Sequence, residues 1–157
     1  MSRFTLQIIK NLAELKKQEY IDLKEECRQE AYEYFDKNIR SLPKDKDGNF
    51  KITQEEFYNN DVDAFRHAYT GSIFTLVYNA LISDLAGIYN EIKGTNPVNQ
   101  QNMDLWNNAV GRKYGKNDTL SRKEIADLIK KALEKGELIV DPNDPREYKG
   151  LRHFNYD

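Results

Sequence analysis

The chain has two histidines, and only one of them is placed for chemistry. His67 lies in Asp63-Ala64-Phe65-Arg66-His67-Ala68-Tyr69. On a helix, Asp63 sits one turn before His67, and Thr70 or Gly71 one turn after it. A carboxylate there can orient the imidazole, and an oriented imidazole serves as a general acid or base. A second group is Asp104, Asn107, Asn108 and Arg112, within Met103-Asp104-Leu105-Trp106-Asn107-Asn108-Ala109-Val110-Gly111-Arg112. Asp104, Asn108 and Arg112 share one helical face, with Asn107 one turn beyond Asp104. Polar side chains set among Met, Leu, Trp, Ala and Val are costly to bury unless paired. They can position a substrate, hold a hard cation, or bond to one another. Arg66 and Arg112 are candidates for an anionic group, and Glu91 is a further candidate carboxylate. His153, beside Arg152 near the end of the chain, reads as part of a solvated tail.

Several chemistries are excluded. Two histidines cannot build a three-histidine zinc site, and there is no His-Glu-x-x-His pattern. A phosphate-cradling glycine loop, a Gly-x-Ser-x-Gly elbow and a Cys-His nucleophile pairing are also missing. What remains is chemistry run on His, carboxylates, amides and Arg, with or without a metal ion.

A separate stretch, Asp45-Lys46-Asp47-Gly48-Asn49-Phe50-Lys51-Ile52-Thr53-Gln54-Glu55-Glu56, resembles an EF-hand loop. Its oxygen donors fall at Asp45, Asp47, Asn49, Thr53 and Glu56, with the carbonyl of Lys51 between, so calcium is the candidate ligand. Phe50 stands where the sharp turn favours glycine. Thr53-x-x-Glu56 is also a capping box flanked by Ile52 and Phe57, which accounts for much of the pattern without a metal.

The elements that would carry these residues are helical. Apolar positions at Ile9, Leu12, Leu15, Tyr20, Leu23, Cys27, Ala31 and Tyr34 predict one long helix or two consecutive ones over residues 4–40, ended by Pro43. A further helix is predicted from Asp61 to about Ile92, apolar nearly all round in its middle and therefore central. Gly71 and Gly87 inside it each cost about 1 kcal/mol against alanine, which close approach of another backbone would offset. Asn96-Pro97 predicts the start of a helix running to Tyr114. Ser121-x-x-Glu124, with Leu120 and Ile125 as a staple, opens a last helix that stops at Gly136. Leu138-Ile139-Val140 reads as a short extended piece. The expected fold is mainly α: a single compact helical domain over 1–157 around a buried central helix, with amphipathic helices in 1–42, a motif-bearing core in 61–140 and an EF-hand-like loop.

Composition agrees with one domain, since 157 residues at 39% hydrophobic can form a core. Lys and Arg number 24 against 26 acidic residues, and no basic block stands apart, so no nucleic-acid partner is expected. No apolar run reaches the ~18–20 residues of a membrane span, and the first residues do not read as a signal peptide. The expectation is synthesis in the cytoplasm, with any export left to a specialised secretion system. Cys27, the single cysteine, reads as a small buried residue.

The two long motifs, Asp63-Ala64-Phe65-Arg66-His67-Ala68-Tyr69 and Met103 to Arg112, resemble a poorly characterised group of bacterial domains. These carry Asp-Ala-Phe-Arg-His-Ala-aromatic, then His-Glu, then Met-Asp-Leu-His-Asn-Asn-Ala-Val-Gly-Arg, often at the ends of large secreted or polymorphic-toxin-like proteins. The similarity covers about Asp63 to Gly115. Here Asn90-Glu91 replaces the group's His-Glu, and Trp106 replaces a histidine. The resemblance implies an antibacterial effector that hydrolyses a cell-envelope component or another essential bacterial molecule. Its partner would be a cognate immunity protein or a component of the secretion machinery. The competing expectation is a non-enzymatic calcium-binding or interaction module in which the same polar residues only fix helix packing.

Overall fold

The computed structural model describes residues 3–79 and 95–150. Five helices and no strand occur among the described residues: α1 (Arg3–Asn38), α2 (Gln54–Phe57), α3 (Asp61–Val77), α4 (Val98–Gly115) and α5 (Arg122–Glu134). None of them is long and apolar enough to cross a membrane.

The long first helix is continuous. Cys27, Ala31 and Phe35 recur every fourth residue and are buried, with Tyr32 beside them. This stripe lies on α3, where the Phe65 ring stacks on Tyr34 at 5.4 Å and meets Phe35 edge-on at 5.7 Å. Tyr69 of α3 donates to Glu30 (2.7 Å), and Arg122 at the start of α5 reaches the same carboxylate (2.7 Å), tying three helices together. Burial pushes the Cys27 thiol up to about 12, so it behaves as a packed side chain and not as a nucleophile.

The central helix is α3, which packs on α1, α4 and α5. Asn60 caps its start, with the side-chain oxygen accepting from the Asp63 amide at 3.2 Å. It ends at Val77, well short of the Ile92 that its apolar composition suggests. Tyr78 is the C-cap, and Asn79 follows at φ 135°. No glycine or proline marks this stop. The rest of the expected helix, with Gly87, Asn90 and Glu91, lies outside the described residues, as do Arg152 and His153.

Backbone meets backbone where α3 packs on α4. A Cβ placed on Gly111 would lie 1.9 Å from the Ala68 carbonyl oxygen, and one on Gly115 would lie 2.1 Å from that of Ser72. Gly71 faces the Asn108 backbone in the same way, at 2.5 Å, which is the close approach its position in a helix called for. Ser72 strengthens the seam by donating to the Gly111 carbonyl at 2.7 Å. His67 and Asn108 flank this seam, so the glycines set the distance between them.

At the other end of α4, polar side chains pin the C-terminal segment. The helix begins at Val98 with Pro97 in the cap position, one residue later than Asn96 suggests. The predicted Ser121–Glu124 capping box is present, and Gly136 ends the last turn at φ 72°. The following Leu138 and Ile139 are buried but form no strand. Asn107 takes a strand's place: its amide donates to the Ile139 carbonyl (2.8 Å) and accepts from the Ile139 N–H (2.9 Å). Trp106 donates to the Glu137 carbonyl (2.9 Å), while Asn102 bonds Arg146 and Tyr148 (2.8 and 2.7 Å).

Candidate functional site

His67, on α3, and Asp104, on α4, meet across the glycine seam. The imidazole Nε2 lies 3.2 Å from Asp104 Oδ1 and 3.6 Å from Asp63 Oδ1. Arg66 bonds Asp63 and also reaches His67 Nε2 at 2.7 Å. A guanidinium has no acceptor, so this contact requires a bare lone pair on Nε2. The proton then sits on Nδ1, which faces Asn108 Oδ1 at 3.3 Å. Asn108 therefore orients the imidazole. The spacing along α3 suggested Asp63 for that role, but Asp63 stands on the other side of the ring and binds Arg66.

Burial and charge fix the protonation of the group. Removal from water, reinforced by the Arg66 guanidinium, pulls the His67 imidazolium down to about 3 against the opposing pull of Asp63. His67 is thus neutral throughout the physiological range. Burial opposes the charge on Asp63, but the Arg66 guanidinium and the Asn59 amide hold the carboxyl below its ordinary range. That amide bond, 2.8 Å to Oδ2, depends on Asn59 adopting a left-handed φ of 56°. Side-chain exposure is 3% for Asp63, 7% for Asp104, 13% for His67 and 16% for Arg66. Arg66 is the least buried of the four side chains, yet its Nε is sealed from solvent.

The other candidate residues separate into two groups. Asn107 has both ends of its amide engaged by Ile139 and is a clamp for the chain, not a ligand for substrate. Arg112 is fully buried, with one guanidinium nitrogen 3.5 Å from the Tyr148 hydroxyl, so it does not present charge to an outside anion. Asn59, Asn102 and Trp106 matter to this architecture although their types gave no chemical signal. Adjacent asparagines before an apolar helix, as in Asn59-Asn60, are the one local hint of a capped turn.

The Asp45–Glu56 loop closes on itself. Asp45 Oδ1 accepts from the amides of Asp47 (2.8 Å) and Asn49 (3.0 Å), and the Asn49 side chain approaches Oδ2 at 3.4 Å. These bonds, led by that from the Asn49 backbone, hold the Asp45 carboxyl below its usual range. Gly48 makes the turn at φ 85°, and Lys44 pairs with Phe50 in an isolated bridge. Phe50 turns inward against Tyr32 and Phe57 (5.8 and 6.4 Å between ring centres). Thr53 caps α2 through the Glu56 amide, and the Glu56 carboxylate lies 3.8 Å from Arg40. Among the described residues, the His, Asp, Glu and Cys side chains that bring three donor atoms within 4.8 Å of one another are Asp63, His67 and Asp104.

No curated protein and no solved structure matches the chain. A family model described as a domain of unknown function (DUF6973) matches residues 8–137, spanning α1 through α5 and both halves of the His67–Asp104 cluster. The chain therefore belongs to the DUF6973 family.

Proposed function

We propose that this domain is a hydrolytic antibacterial effector whose reaction centre is the His67–Asp104 cluster. The observation that carries this reading is a neutral imidazole, held by Asn108, whose Nε2 faces the Asp63 and Asp104 carboxylates and the Arg66 guanidinium. With Arg66 turned outward, Nε2 can take a proton from a water molecule. Asp104 and Asp63 stabilise the positive charge that develops on the ring. Arg66, released from Asp63, can hold an anionic substrate group. The resemblance of the two motifs to bacterial toxin-like domains supports an envelope component or another essential bacterial molecule as target. It also supports a cognate immunity protein as partner and a specialised secretion system as the route out.

Expression in the cytoplasm and, with an added leader, in the periplasm of a bacterium tests this. Growth arrest or lysis in one compartment is expected, and His67→Gln or Asp104→Asn should abolish it while helicity and melting temperature stay near those of the parent. Variants that remain fully toxic would refute the assignment. The second reading, a packing network without catalysis, is favoured by the complete pairing of Asn107. It requires that the same substitutions cost stability and that the parent be harmless in both compartments.

A further inference from the structure

We infer that Asp63, His67 and Asp104 form a binding site for a divalent first-row transition-metal ion, and that the Arg66 guanidinium occupies the ion's place in the metal-free protein. The inference goes beyond the general-base reading of the same cluster: with an ion on Nε2 the imidazole would be a ligand, and activation of water would fall to the ion.

The first observation is spacing. Bonds of about 2.1 Å place neighbouring donors roughly 3.0 Å apart at right angles and roughly 3.4 Å apart at the tetrahedral angle. Nε2 of His67 stands 3.2 Å from Asp104 Oδ1 and 3.6 Å from Asp63 Oδ1. Both distances from the imidazole are thus close to ligating separation, and the three donor atoms all lie within 4.8 Å of one another across the two helices.

The second observation concerns what the donors face. Nε2 cannot satisfy both of its neighbours. As a bare lone pair it suits Arg66 at 2.7 Å but opposes the Asp104 oxygen, and as an N–H it suits Asp104 but opposes Arg66. A cation in place of the guanidinium removes that conflict, because the lone pair and both carboxylate oxygens then point at positive charge.

The third observation is that two of the donors are held from behind in the manner of metal ligands. The imidazole gives its other N–H to the Asn108 amide oxygen, and Asp63 uses Oδ2 to accept from the Asn59 amide, leaving Oδ1 for the ion. The left-handed backbone at Asn59 is spent on that orientation. One imidazole and two carboxylates suit Zn2+, Mn2+ or Fe2+, whereas Ca2+ requires six to eight oxygens. Protein ligands on one side leave the opposite side, where Arg66 now lies, for water or substrate.

The test is calorimetric titration of the tag-free, chelator-treated protein with Zn2+ near neutral pH. One ion per chain is expected. His67→Gln and Asp104→Asn should each weaken binding by about a hundredfold or more, while His153→Gln should leave it unchanged. Arg66→Gln should bind about tenfold tighter or better, since the competing guanidinium is gone. That gain distinguishes an ion site from a structural arginine pair, which would predict a loss. Should the ligand variants fail to fold, Co2+ added to the parent must shift the His67 ring protons paramagnetically. No binding, binding that survives both ligand substitutions, weaker binding in Arg66→Gln, or no shift of the His67 ring would each overturn the inference. Zinc bound with this dependence in a protein that is harmless in both compartments would sink the hydrolytic reading alone. Toxicity without bound zinc would sink the ion site alone.

Discussion

Replacing Gly111 with alanine should loosen the α3–α4 seam and, through it, the site. The added Cβ would stand 1.9 Å from the Ala68 carbonyl oxygen, 2.7 Å from its carbon and 2.9 Å from the Ala68 Cα. All three are backbone atoms of a buried helix, so no flexible side chain can turn aside. An ordinary contact of ~3.4 Å requires the helices to part by about 1.5 Å. Overpacking of a core costs about 1–3 kcal/mol, and a rigid backbone clash belongs at the upper end. Alanine returns about 1 kcal/mol through its better helix propensity, which leaves a net loss near 2 kcal/mol. For a domain of this size that is roughly 4–8 °C in Tm. Asn108 lies one turn before Gly111, so the same displacement stretches its 3.3 Å contact with His67 beyond hydrogen-bonding range. Urea unfolding followed by circular dichroism measures the first effect, and zinc titration of the variant measures the second. A Gly111→Ala protein as stable as the parent would refute the close approach on which the site's geometry depends.

Other expectations follow from the same contacts. Asn107→Ala removes both bonds to Ile139 and leaves buried backbone groups unpaired, a loss of about 2–4 kcal/mol; amide hydrogen exchange at Ile139 should accelerate in parallel. In metal-free protein, His67 titrates near 3 when folded and near 6.5 when unfolded, so the unfolded chain binds the extra proton in between. Its contribution is whole above about pH 6.5 and falls by up to about 1.4 kcal/mol per pH unit below that. Urea midpoints between pH 6.5 and 5 should show this slope, and His67→Gln should remove one proton's share of it. Millimolar Ca2+ should not raise the melting temperature, because amides within the loop already engage Asp45 and Arg40 engages Glu56. A clear calcium shift that Asp45→Ala abolishes would show that the loop reopens as a cage.

The readable parts of this molecule are those governed by local rules. Helical spacing brought Cys27 and Ala31 inward, and Ser121 with Glu124 formed the capping box their spacing specifies. The meeting of His67 with Asp104 was legible too, because polar residues on otherwise apolar helices have to find one another. What could not be read depended on partners distant in the chain. The orienting role expected of Asp63 fell to Asn108, which arrives from α4. Asn107 gave up its amide to Ile139, a pairing across loops that no spacing encodes. The end of α3 was missed since Val77-Tyr78-Asn79 contains neither glycine nor proline, and Asn79 adopts positive φ with no local signal. The calcium-like loop is ambiguous for a different reason. Asp45, Asp47 and Asn49 at alternate positions serve a self-bonded turn as well as an ion, and the turn's own bonds are formed here with Phe50 packed inward.

Nitrogen-detected NMR of the His67 ring in the metal-free protein probes the meeting of the two helices most directly. A single neutral species protonated at Nδ1 and unchanged from pH 7 to pH 5 is expected, with Asn108→Ala and Arg66→Gln each altering its tautomer. A ring that titrates near its ordinary value of about 6.5 with both tautomers in exchange would place His67 in solvent, and the site assembled around it would not exist.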